Sequence, residues 1–405
     1  MKRELLVVFV ATVALYLPTA RYGFVQDDRG IIVANPAAHS VGAALAAFDE
    51  PYWPSGSGAG LYRPVTILSY ALDWTISGGR PGWFHFMNAL WHGLAAALVV
   101  VVIARWLPPV AAAGAGLIFA WHPVHVEAVA NVVGRAELLA AVGILGAVAL
   151  ARRGRWVVAV ACAAFAMLSK EHGVIAGVVI LLDKWLQASD DRPYPVPFWM
   201  ALAVVTLGYL AAWFAVGWVG ENDEAVAFYG TGLWGRLAIA LPAVLHAAGL
   251  LLWPASLSSD YGPQVLPMRS AMSLAALLGL WVAVLVPALV FWCRRRAPAI
   301  AFAAGLATLS YLPTANIFSR GAQSLLARRA AGGARGLDHD DACRPAGRPA
   351  RCRRCRPPRH GLWRPLVRAS ARLAGQSITG AHPVARSSGI VSRACLRRRG
   401  PRRNR

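Results

Sequence analysis

Residues 85–104, HFMNALWHGLAAALVVVVIA, contain no Asp, Glu, Lys or Arg. At about 1.5 Å of rise per residue, a helix of this length spans the hydrocarbon core of a bilayer. Working outward, similar apolar runs occupy 4–20, 107–121, 136–151, 156–168, 172–186, 197–219, 236–254, 272–293 and 297–316. The fold class is therefore all-α and polytopic, with nine or ten hydrophobic helices. Composition agrees, since 57% of the 405 residues are hydrophobic and only 15% charged, well outside the usual soluble balance. No repeat of 30–45 residues is evident.

Lys2-Arg3 ahead of the first run resemble the start of a secretory signal, but Leu17-Pro18-Thr19-Ala20-Arg21-Tyr22 is a poor cleavage site, so the run is read as a retained span. Cytoplasmic loops collect Lys and Arg, which places Lys2-Arg3, Arg105, Arg152-Arg153-Arg155 and Arg294-Arg295-Arg296 inside and residues 21–84 and 122–135 outside. Parity then fails near 236–254, whose Pro242, His246 and Pro254 mark it as the re-entrant or interfacial segment. Within the first outer loop, Tyr62–Trp74 reads as an amphipathic helix at the interface.

The formal charge of +22 belongs to the C-terminal end. Residues 320–405 hold 22 Arg, no Lys, three Asp and no Glu, whereas the preceding 319 residues share 19 basic and 16 acidic side chains. The division is therefore a membrane domain over 1–318 and an Arg-rich tail over 319–405, which cannot bury a core and is expected to be disordered. Such a tail is either a basic segment for anionic lipid or nucleic acid, or an out-of-frame translation of GC-rich coding sequence. The second is favoured, because 22 basic residues without one Lys reflect codons more readily than selection. No specific nucleic-acid partner is expected. Cys352-Arg-Arg-Cys355 has the spacing of a zinc half-site, but no second pair follows.

Polar groups capable of chemistry gather in the outer loops. Asp27 and Asp28, between Arg21 and Arg29, can supply a general base for a hydroxyl acceptor, or form a solvated turn. His122, His125, Glu127, Asn131 and Arg135 crowd one membrane boundary. They can bind a phosphate, with Arg stabilising a departing anion, or simply cap a helix entry. A metal on His122, His125 and Glu127 lacks the HExxH spacing, so no metal site is assigned; no cofactor is obligatory, a divalent cation being the optional addition. Lys170-Glu171-His172 interrupts an apolar stretch, either as a functional cluster or as a self-neutralising hairpin turn. Arg63 can reach a lipid phosphate, and Asp260-Tyr261 can join the acceptor side. Asp183-Lys184 read as ordinary cytoplasmic loop charges.

Taken in order, FVQDD at 24–28, YRPV at 62–65, FMNALWH at 86–92, HPVHVEAVANVVGRAE at 122–137, SKEHG at 169–173 and YLPTAN at 311–316 form a set. This set resembles the transmembrane and tetratricopeptide-repeat O-mannosyltransferases and their bacterial relatives, of the GT-C glycosyltransferase superfamily. The resemblance covers about residues 4–318, and 122–137 is its most specific part. It implies a multi-span domain that moves a sugar, expected to be mannose, from a polyprenyl-phosphate carrier to a hydroxyl of an acceptor protein, at Ser or Thr, on the outer face of the inner (plasma) membrane. It also implies that an acidic residue of the first outer loop is the base, matching Asp27 or Asp28; the reading of the residues themselves adds Arg63, His122, His125, Glu127, Asn131, Arg135, Lys170 and Glu171 around the carrier phosphate. After YLPTAN the family continues with a Glu-Arg motif, further spans and repeats where this chain has its Arg-rich tail, so the catalytic domain is expected to be incomplete and the chain inactive. The rival class is a transporter or flippase for a lipid-linked sugar. Transporters tend to show repeated halves with broken helices at the midplane, and neither is seen here.

Overall fold

Proline sets the start of several helices. Pro64, Pro81, Pro109 and Pro298 each occupy a first helical turn, where the absent N–H has no intrahelical partner to lose. In this computed structural model residues 1–54, 61–187, 193–216, 233–258 and 273–314 are described. Their helices are α1 (Lys2–Tyr16, prolonged by a 3-10 turn Leu17–Arg21), α2 (Val41–Ala46), α3 (Pro64–Ser77), α4 (Pro81–Ile103), α5 (Pro109–Trp121), α6 (Val126–Ala130), α7 (Arg135–Ala151), α8 (Trp156–Ser169), α9 (Ala176–Leu186), α10 (Val196–Val216), α11 (Leu233–Leu252), α12 (Leu274–Cys293) and α13 (Pro298–Tyr311). No strand occurs among the described residues. The Arg-rich tail over 319–405, Cys352, Cys355, Asp260 and Tyr261 lie outside them.

Six helical stretches, Lys2–Arg21, Pro81–Ile103, Val132–Ala151, Val196–Val216, Leu233–Leu252 and Leu274–Cys293, are long and apolar enough to cross a membrane; α5, α8 and α13 are shorter apolar helices. The chain is an all-α, multi-pass membrane protein. Val132–Ala151 is 72% buried against 11% for α10 and α11, which makes α7 the centre of the bundle and leaves α10 and α11 to face lipid. Large apolar side chains such as Val204 and Leu207 of α10 and Trp234 of α11 are correspondingly exposed.

Between helices in lipid, close backbone approach takes the place of a hydrophobic driving force. A Cβ on Gly143 of α7 would lie 2.7 Å from the Ala166 Cβ and 2.8 Å from the Cys162 carbonyl of α8, so this pair packs at glycine distance. Gly279 of α12 meets the Leu241 carbonyl of α11 more closely still.

The basic clusters converge at one end of the bundle. Arg152 forms an ion pair with Asp183, its Nε donating at 2.9 Å; its guanidinium also donates to the Val102 carbonyl at 2.6 Å and lies 4.8 Å from the Trp106 ring centroid. Asp183 is thus a buried helix residue held by charge and not a loop charge. Arg294, after α12, lies over Trp185 of α9 at 5.3 Å. At the opposite end the Leu251 carbonyl of α11 meets His122 Nε2 at 3.1 Å. Pro242 is absorbed within α11, which runs unbroken for 20 residues toward the His122 end, and α12 returns to the basic end. The triple Arg therefore joins the other basic clusters without α11 having to be re-entrant; residues 217–232 lie outside the described residues.

Opposite the basic end, the first outer loop has a core of its own. Ile31, Ile32, Tyr52, Ile67, Tyr70, Phe84 and Val132 pack together, seating α3 on the bundle with Thr66, Tyr70 and Asp73 inward and Leu72 and Ile76 outward. Gly78, at φ +64°, closes α3 by donating to the Trp74 carbonyl.

Candidate active site

A cavity of about 570 Å³ opens between the first outer loop, α4, α5 and α7, lined by residues that include Asp27, Arg63, His125, Glu127, Asn131 and Lys170. Its volume falls in the range of ligand sites. Ala95, Phe119, Leu138, Ala141 and His92 contribute apolar or uncharged lining beside these charged residues.

The two adjacent aspartates have different surroundings. Asp27 lines the cavity, while Asp28 is fully buried. Asp28 accepts from the Val25 N–H at 3.0 Å and from the Val133 N–H at 2.9 Å, tying the turn after α1 to the loop before α7. Burial raises the Asp28 carboxyl above its ordinary range, an effect these backbone hydrogen bonds oppose. The turn is wound tightly enough to hold Gln26 at φ +44°, an uncommon region for a residue with a Cβ, and so directs Asp27 toward the cavity.

A buried polar frame holds the cavity's far wall. The Asn88 amide donates to the carbonyls of Val129, Asn131 and Val132 at 3.2–3.3 Å, and its oxygen accepts from Arg135 Nε at 2.7 Å. Arg135 is ion-paired with Asp73, donates to the Phe84 carbonyl at 2.9 Å and lies 5.0 Å from the Tyr70 ring centroid. Trp83 Nε1 donates to the other Asp73 oxygen at 3.0 Å. Arg135 is completely enclosed and does not line the cavity. Burial raises the Asp73 carboxyl, against the pull of Arg135.

Lys170 and Glu171 do not neutralise each other. Lys170 pairs with Glu137 of α7, and Glu171 accepts from Arg63 Nε at 3.1 Å and Nη2 at 2.8 Å, across 108 residues of chain. Burial works to raise Glu171, yet the Arg63 guanidinium overrides it and holds the carboxyl below the usual range; the same partner keeps Arg63 above its own ordinary value despite burial. Thr66 Oγ1 donates to the Ser169 carbonyl at 2.8 Å, a second tie between α3 and this corner.

His125 packs against Phe119 and His92, with ring centroids 4.4 and 5.2 Å away, and burial followed by the charges of His92 and His122 brings it to about 3, so it is neutral at physiological pH. Glu127 is pushed upward by burial and by Glu137, against Lys170. His122 stands apart: its Nδ1 accepts from the Val124 N–H at 3.3 Å and its Nε2 faces the Leu251 carbonyl, so it caps the turn without lining the cavity. Among the described residues, no group of three or more His, Cys, Asp or Glu side chains converges to hold a metal ion.

Of the site residues read from the sequence, the cavity thus gathers Asp27, Arg63, His125, Glu127, Asn131 and Lys170. Asp28, His122, Arg135 and Glu171 sit behind its walls, orienting backbone or partner charges. Glu137, His92, Asn88 and Asp73 carry site roles that the sequence reading did not assign. Glu137 closes the quoted run 122–137, and Asn88 and His92 fall within FMNALWH, where their spacing of four on one helix face marks them as a pair.

The chain is similar to Tmtc2 of Drosophila melanogaster, 45% identical over 135 residues that make up 32% of this chain and 14% of that protein. It is 26% identical over 336 residues to F38B6.6 of Caenorhabditis elegans, covering 78% of the chain and 47% of the relative. It is 30% identical over 208 residues to human TMTC3, covering 48% and 23%. Its curated homologues are protein O-mannosyl-transferases. The matched stretches span less than half the length of each of these O-mannosyl-transferases. No protein-family model and no solved structure matches the chain.

Proposed function

We propose that the cavity transfers mannose from a polyprenyl-phosphate carrier to a Ser or Thr hydroxyl of an acceptor protein, on the extracytoplasmic face of the inner membrane. The observation that carries this reading is one cavity holding a loop carboxylate, Asp27, together with two fixed cations, Arg63 and Lys170, at the end of the bundle opposite the basic clusters. The relatives, protein O-mannosyl-transferases by name, suggest the sugar and the protein acceptor.

In this reading Asp27 accepts the proton of the acceptor hydroxyl as its oxygen bonds to the anomeric carbon. The bond from that carbon to the phosphate oxygen breaks on the opposite side, its electron pair passing to the phosphate, and the configuration inverts. Lys170 and Arg63 meet the developing phosphate charge, where fixed donors in a site of low polarity are most effective. His125, neutral, and Asn131 offer uncharged polar contacts, while Glu127 lies beside the acceptor. The prenyl chain runs along the lipid-facing helices. No metal ion is assigned a step; a divalent cation at Asp27 is the variant that sensitivity to EDTA would reveal.

The test uses the 405-residue chain in nanodiscs with radiolabelled polyprenyl-phosphate mannose and a Ser/Thr-rich peptide. Donor binding is expected, weakened about tenfold or more in Lys170→Met. Where transfer is measurable, Asp27→Asn should lower it by about 10²–10⁴ without changing donor binding. Failure of the wild-type chain to bind the donor overturns the reading.

A further inference from the structure

At the basic end of the bundle the arginines are of two kinds. Arg152 is committed to the protein itself, ion-paired with Asp183 and donating to the Val102 carbonyl. Arg294, Arg295 and Arg296 follow α12, the first half-buried and the other two exposed. Among the described residues, no ion pair or side-chain hydrogen bond holds any of these three.

Two of them are nevertheless kept in place by aromatic rings. The Arg294 guanidinium lies over Trp185 at 5.3 Å from the ring centroid, and that of Arg296 lies over Trp292 at 5.8 Å. A guanidinium set over a ring gives up only its face, so its N–H donors remain free along its edge. That planar fork matches the paired oxygens of a phosphate.

The surface beside these cations is apolar and turned outward. Trp185 of α9 and Phe291 of α12 meet with ring centroids 5.3 Å apart, and both helices pack on α13. Phe291 and Trp292 are each 66% exposed and Trp185 is 41% exposed. Free cationic edges at the end of an exposed aromatic surface suit a ligand that carries both a phosphate and a hydrocarbon chain. A soluble anion would meet the charge and leave Trp185 and Phe291 uncovered.

We propose that Arg294 and Arg296, backed by Trp185 and Trp292, form a site for an anionic phospholipid of the leaflet at the basic end. The headgroup phosphate accepts from the two guanidinium edges, Arg295 adds charge, and an acyl chain runs along Trp185 and Phe291. Basic residues at helix ends attract anionic lipid by charge alone. Here the rings fix where the charge sits, so one lipid is held in place of a diffuse excess. The site stands at the end of the bundle opposite the cavity and is independent of the reading of that cavity.

The test places the 405-residue chain in phosphatidylcholine nanodiscs doped with phosphatidylglycerol that carries a photoactivatable diazirine in its acyl chain. Mapping the adducts by peptide mass spectrometry counts lipid gathered by other basic segments separately. Labelling of the peptides that hold Trp185 and Phe291 is expected to exceed that from the matching diazirine phosphatidylcholine about tenfold or more. Arg294→Gln with Arg296→Gln should remove most of the excess, while Arg153→Gln with Arg155→Gln, which takes the same charge from the same end, should leave it. Equal labelling by the two lipids in the wild-type chain overturns the site, and that comparison needs no variant. An equal loss in both double variants overturns it in favour of diffuse attraction. Displacement of the lipid by glycerol phosphate at fixed ionic strength overturns it in favour of a site for free phosphate.

Discussion

Adjacent side chains of the same chemistry can carry unrelated tasks when one faces a cavity and the other is buried against backbone. Asp27 and Asp28 show this, and sequence alone could not divide them, since both fit a base in the first outer loop. What separates them is a contact 105 residues away, at the Val133 N–H. Asp28→Asn places an amide group against one of two backbone N–H donors, an expected cost of about 1–3 kcal/mol visible as a lowered unfolding midpoint in detergent. Asp27→Asn should leave that midpoint unchanged. His125 makes a pH prediction. Its proton affinity is depressed in the folded protein, to about 3 against an ordinary value near 6.5. Between those values the unfolded chain binds the proton and the folded one does not, so stability is full above the ordinary value and falls as pH drops below it, by at most about 1.4 kcal/mol per pH unit. Thermal unfolding of wild type at pH 7 and pH 5 should show a loss that His125→Phe reduces.

Among elements, the apolar runs were legible, several within two residues and others within about five, as with predicted 172–186 against Ala176–Leu186, because a span needs only length and the absence of charge. Predicted 156–168 became Trp156–Ser169 and predicted 272–293 became Leu274–Cys293. The joints between elements were not legible, because they depend on pairs distant in sequence. Arg135 looked like a phosphate ligand from its place in the 122–137 run, yet Asp73 of α3 holds it inside the protein. Removing one partner of a buried pair strands the other, so Arg135→Met should destabilise by about 3–5 kcal/mol, and adding Asp73→Leu should recover part of the loss. Denaturation of both variants in detergent checks this. At the α7–α8 contact, Gly143→Val would force the helices apart, costing about 1–3 kcal/mol in the same assay.

For the whole molecule, the direction of α11 is the feature that positive-residue counting misjudged. The positive-inside argument places the Arg clusters correctly relative to one another, but it cannot see that the C-terminal end of α11 reaches His122. Single-cysteine variants on a background without native cysteines read the arrangement directly. Glu50→Cys should react with a membrane-impermeant maleimide from outside, and Arg153→Cys only after permeabilisation. Trp234→Cys is the deciding position: protection from the outside follows from the structure, whereas outside labelling would restore a re-entrant segment.

The pairing of Lys170 with Glu137 and of Arg63 with Glu171 has a kinetic consequence. Each of these cations is already paired with a carboxylate, and Asp27 and Glu127 add further negative charge, so the cavity's field opposes an approaching anion. A ligand carrying negative charge is therefore slowed on approach, and its association should quicken as ionic strength rises. For the lipid-borne sugar phosphate proposed above, capture then depends on two-dimensional encounter within the leaflet, where the carrier is concentrated by its own hydrocarbon tail, and soluble sugar phosphates from the bulk are poor competitors.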